Sequence, residues 1–125
     1  MKAELRQLVW DRAGACCEYC HLPQEALEQT LHVEHIVSRQ HLGPTDESNL
    51  ALACDRCNLY KGPNLTAIDP ESGAVVMLFH PRHDAWPTHF RLRGTCIEGL
   101  TPSGRATVRL LNMNDENRRR IREWL

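Results

Sequence analysis

The chain contains no apolar run long enough to cross a membrane or to serve as a secretory leader. Its opening, MKAELRQLVWDRAG, mixes charged and apolar residues throughout. The expected setting is therefore a reducing cytoplasm, with no membrane partner. Strong net charge is also missing: 15 Lys and Arg oppose 16 Asp and Glu, giving −1. Any nucleic-acid contact must then use a local basic face rather than a global field. Internal repeats and low-complexity segments are absent, and only 6% of residues are aromatic. At 125 residues the simplest organisation is one domain over 1–125 with a modest core. A core of that size benefits from a structural metal.

Cysteine, by contrast, is plentiful, with six residues. In a reducing compartment six thiols point to metal ligation before disulfides. Cys17 and Cys20 form one C-x-x-C, and Cys54 and Cys57 form another. Two such turns supply four thiolates to one tetrahedral Zn2+. The intervening residues 21–53 exceed the usual zinc-ribbon gap, so a substructure must fit between the pairs. Cys16 would make a less regular C-x-x-x-C, and Cys96 reads as a small buried apolar residue. His21 is expected at the surface, because four cysteines already fill the zinc.

Periodicity predicts a helix over 2–13 ending at Gly14, and a strand over 30–37. A loop follows through HLGPTDES, then a second strand over 49–54 and a helix beginning near Asp55. DPESG (69–73) reads as a hairpin turn, and HFRLRGTCIEGL as a further strand region. Two helices are expected near the end, with Asn114 as a cap of the last and Ile121, Trp124 and Leu125 docking it on the body. Its arginines, Arg118, Arg119, Arg120 and Arg122, read as a solvated basic face or a DNA contact. The fold class is α+β.

Between the cysteine pairs lies HVEHI, residues 32–36. Glu34 offers a hard oxygen ligand suited to Mg2+ or Mn2+. His35 offers a base that titrates near neutral pH. Asn58, opening the next helix, offers a neutral carbonyl oxygen. Such a set would cleave a phosphodiester, with the histidine activating water and the cation neutralising charge. Strand alternation puts His32 on the face of Glu34, so His32 is a further candidate.

The order of C17-E-Y-C20, V33-E34-H35-I36, N49-L50 and C54-D-R-C57-N58-L-Y-K61-G62 resembles the HNH endonucleases, over about residues 12–63. Residues 64–125 resemble, more loosely, the tail of small standalone prokaryotic HNH proteins. The resemblance implies a ββα-metal core with an N-terminal helix and a C-terminal hairpin and helical extension. It implies His35 as general base, Asn49 as the residue orienting the base loop, and Glu34 and Asn58 as ligands of the catalytic cation. Asn58 stands where the family more often has histidine, and Glu34 where it more often has Asp. The expected activity is metal-dependent DNA hydrolysis, one strand per site, leaving a 5′ phosphate and a 3′ hydroxyl. Lys61, Arg56 and Arg82 are candidate contacts to the DNA backbone. A zinc-stabilised binding module without catalysis is the alternative, and a thiol redox protein a third. Target sequence, pathway and oligomeric state, a monomer included, do not follow from the sequence.

Overall fold

The computed structural model describes residues 1–125, which divide into two compact units, Met1–Pro63 and Asn64–Leu125. The architecture is mixed, with short helices and three separate two-stranded sheets.

In the first unit, helix α1 runs Ala3–Ala13 and stops at Gly14, which takes the left-handed conformation and returns its N–H to Asp11 O and Trp10 O. Glycine pays no Cβ penalty there. The chain then turns through the first cysteine pair. Cys17 N–H donates to Leu22 O at 3.0 Å and His21 N–H to Cys17 O at 2.9 Å. Strand β1, His32–His35, pairs antiparallel with β2, Leu50–Ala53, with Glu34 opposite Ala51 and His35 opposite Leu50. All four residues of β2 are buried, so this strand forms the floor of the unit. Arg12 fastens α1 to it by donating to Glu47 O and Leu50 O at 2.8 and 2.7 Å. Helix α2, Asp55–Lys61, follows at once. Cys54 is its N-cap, accepting from Cys57 N–H.

The second unit carries hairpin β3–β4 (Thr66–Ile68 and Val75–Met77) and hairpin β5–β6 (Phe90–Arg93 and Cys96–Gly99). The short helix α3, Trp86–His89, precedes β5. Helices α4 (Pro102–Leu110) and α5 (Glu116–Glu123) close the chain. Phe79 and Phe90 meet edge to face at 5.1 Å within its core.

Two expectations for this tail are corrected. The cap of α5 is Asp115, whose side chain accepts from Arg118 N–H. Asn114 instead bridges β6, accepting from Ile97 N–H at 2.7 Å and donating to Ile97 O at 2.8 Å. Nor does α5 dock through its apolar end: Trp124 is 88% exposed and Leu125 is exposed too. Its anchors are two arginines of the basic run. Arg118 is buried and donates to Leu111 O and Asn112 O. Arg122 donates to Met113 O and Thr95 O. Both satisfy carbonyls that a helix end or turn leaves without an intrahelical partner, so these two side chains are not a solvated face.

Candidate functional site

The four thiols of Cys17, Cys20, Cys54 and Cys57 are buried and lie within 4.8 Å of one another. None is in a disulfide. Backbone N–H groups point at sulfur in both turns, Cys20 N–H at Cys17 Sγ (3.5 Å) and Cys57 N–H at Cys54 Sγ (3.4 Å). Hydrogen bonds from neighbouring thiols pull Cys54 and Cys20 down, while burial pushes Cys17 and Cys57 up. Four thiolates this close repel one another unless a cation sits among them, so the donor set fits a structural Zn2+. Cys16 stays outside the cluster, with its thiol donating to Gly14 O, and Cys96 is half-buried rather than buried.

Glu34 points inward from β1 and is 7% exposed. Its Oε1 accepts from the Tyr19 hydroxyl, and Oε2 lies 4.0 Å from Lys61 Nζ. Lys61 is itself 2% exposed and donates to Ile36 O at 2.7 Å. Burial pushes Glu34 up, against the pull of Lys61 and Tyr19, and burial pushes Lys61 down. A buried carboxylate and ammonium sit together here because either alone would carry a large desolvation cost. Lys61 is thus an internal residue bridging α2 and β1. It is not on the surface where a phosphate would meet it, which corrects its assignment as a DNA contact. Tyr19, inside the first C-x-x-C, joins the zinc turn to the strand. Nothing in the sequence pattern marks that hydroxyl.

His35 ends β1 on the opposite face and is half-buried, with Nε2 2.7 Å from Thr45 Oγ1. Burial, and then the charge of Arg39, lower its pKa, which favours the neutral form of the ring. Asn49 is 5% exposed and clamps the loop. Its Oδ1 accepts from Val37 N–H, and its Nδ2 donates to Val37 O and Pro44 O, each at 2.9 Å. Asn58 is half-buried in α2. His32 is exposed and contacts Asp55 Oδ1 at 3.3 Å, so it faces the start of α2. Arg56 lies on the exposed side of α2, and Arg82 is half-buried in the second unit. Thr45 and Arg39 belong to the surroundings of His35 but were hidden in a segment that reads only as loop.

The four-thiol cluster brackets a ββα unit, β1, β2 and α2, with a histidine at the end of its first strand. Residues 17–64, fewer than half of the chain, match the model of the HNH endonuclease family. The chain is also similar to the Septu protein PtuB of Bacillus thuringiensis, 25% identical over 104 residues. That alignment covers 82% of this chain, and the chain spans 38% of the relative's length. No solved structure matches it. No helix is long and apolar enough to cross a membrane.

Proposed function

We propose that this chain is an HNH nuclease that hydrolyses DNA phosphodiester bonds, nicking one strand per site, with His35 as general base. The observation that carries this is a half-buried imidazole at the end of β1, held by Thr45 beside a loop pinned by Asn49. A neutral imidazole accepts a proton from water as the water attacks phosphorus. Thr45 fixes the ring through Nε2, and Asn49 fixes the loop that carries Thr45. Glu34 and Asn58 would hold Mg2+ or Mn2+. Their oxygen donors suit a hard cation, and Glu34 Oε2 lies beyond hydrogen-bond distance of Lys61. When bound, such a cation would neutralise charge on the phosphate and the departing 3′ oxygen. His32, beside Asp55, is a candidate neighbour of the same face.

One observation favours the second reading, a zinc-stabilised nucleic-acid-binding or interaction module without catalysis: Glu34 is already engaged by Tyr19 and Lys61. Glu34→Gln separates the two, because it keeps an acceptor for Tyr19 while removing the anionic ligand. Supercoiled plasmid is incubated with wild type and variant in Mg2+, Mn2+ or EDTA, with zinc content measured in parallel. The nuclease reading predicts metal-dependent nicked circles from wild type and a large loss in Glu34→Gln with zinc retained. Full Mg2+-dependent nicking by Glu34→Gln would leave the carboxylate as a buried brace only. No nicking by zinc-loaded wild type under any condition would favour the binding module.

A further inference from the structure

The loop joining β1 to β2 carries a projection that catalysis does not use. Residues Arg39–His41 form a 3-10 turn, closed by Leu42 with φ 66 and ψ 23. Leu42 is 91% exposed. An exposed leucine alone says little. A leucine in the left-handed region is another matter, because its Cβ crowds the backbone and glycine or asparagine is the usual occupant. Folding recovers nothing for that strain here, since the side chain stands in water.

The projection is held rigidly at its root. Leu42 N–H donates to Arg39 O and Gly43 N–H to Ser38 O, both at 3.0 Å. A Cβ on Gly43 would fall 1.8 Å from Val37 O, so the two legs of the loop are in contact. Asn49 ties Val37 to Pro44. The root also adjoins the site: Thr45 touches His35, and the Arg39 charge is felt there. The tip is therefore fixed relative to His35 and presents Arg39, Gln40, His41 and Leu42 to solvent.

We propose that this tip reads duplex DNA by insertion, with Leu42 wedged against a base step in a groove and Arg39 on the adjacent phosphate. This deepens the nuclease reading and rests on it. Base faces are the apolar part of a duplex, and an isobutyl group on a rigid turn suits them. Apolar wedges of this kind partly unstack a step and kink the helix. Cleavage should accordingly favour easily deformed pyrimidine–purine steps over stiff A-tracts.

The test uses full-length His35→Ala, so that bound DNA stays uncut, on duplexes carrying 2-aminopurine at successive positions. Fluorescence should rise at one or two positions and return to the free-duplex level when Leu42→Ala is added. Anisotropy should show affinity changing less than about fivefold, because phosphate contacts carry most of it. On the wild-type background, single-turnover nicking by Leu42→Ala should fall roughly tenfold at saturating DNA, in line with the apolar surface removed. The melting temperature of Leu42→Asn should equal or exceed that of wild type. A fluorescence rise that survives Leu42→Ala, or a saturated complex with no rise anywhere, overturns the insertion. Leu42→Ala and Leu42→Asn both melting lower would make the leucine a packing residue and also overturn it. No binding of duplex at any concentration would refute the nuclease reading itself.

Discussion

Replacing Asn49 by alanine should damage both the fold and the chemistry. The amide makes three hydrogen bonds of 2.9 Å and is almost fully buried. Truncation leaves Val37 N–H, Val37 C=O and Pro44 C=O without those partners. Each such bond contributes on the order of 1 kcal/mol net. Pro44 is exposed, so water replaces part of its loss. The sum is about 2–3 kcal/mol, a large share of the stability of a small domain. For a unit of this size that corresponds to a melting shift of roughly 10–20 °C. With the loop unpinned, Thr45 no longer fixes His35, and a displacement of about 1 Å at a reacting group costs on the order of 10²-fold in rate. Thermal unfolding followed by zinc release gives the first number, and single-turnover nicking below the melting point gives the second. Asn49→Asp should be no better, because a carboxylate still accepts from Val37 but faces two carbonyls it cannot donate to. An Asn49→Ala protein melting within about 2 °C of wild type would refute the clamp.

Other outcomes follow from the same structure. Cys17→Ser should lower zinc from about one per chain and unfold the first unit, since binding of a structural zinc is itself folding free energy. Metal analysis with circular dichroism checks this, and a folded zinc-free protein would contradict it. In the second unit, Asp69 is fully buried, with Arg105 donating to both oxygens at 2.9 and 3.0 Å and Ser72 donating to one of them. Arg105 first, and then Ser72, hold this carboxyl well below the usual carboxylate range. The unfolded chain therefore takes up the proton first as pH falls. The stabilisation is present above about pH 4 and is lost below it. Arg105→Leu should move the acid-unfolding midpoint of the second unit upward in a circular dichroism titration, and an unchanged midpoint would contradict the pairing.

Sequence pattern was most informative where the chemistry is local. The two C-x-x-C turns needed only short-range geometry to aim their sulfurs, and they lie together in one buried cluster. The alternation in HVEHI puts His32 and Glu34 on one face, yet only Glu34 is buried, because Tyr19 and Lys61 cover it while His32 lies out at Asp55. What escaped depends on partners distant in sequence. Lys61 looks like a surface cation until Ile36 O and Glu34 are seen around it. The run Arg118–Arg122 looks like a charged face, yet Arg118 is buried because the carbonyls of Leu111 and Asn112 lie under it. Asn114 and Asp115 are both good caps, and only the register of β6 decides that Asn114 serves Ile97 instead. Polar side chains of this kind carry no periodicity, so their burial is invisible until the backbone groups they satisfy are located.

His35 as the base of a DNA-cutting site is the central proposal. The most direct measurement is single-turnover nicking of plasmid in Mg2+ by wild type and His35→Ala, at matched DNA occupancy and equal zinc content. Loss of a general base should slow the reaction by about 10²–10⁴-fold while DNA binding persists. The wild-type rate should fall as pH drops through the His35 pKa, at a pH below that of an ordinary imidazole, because burial and then Arg39 lower that pKa. Equal rates for the two proteins would remove His35 from the chemistry and contradict the account.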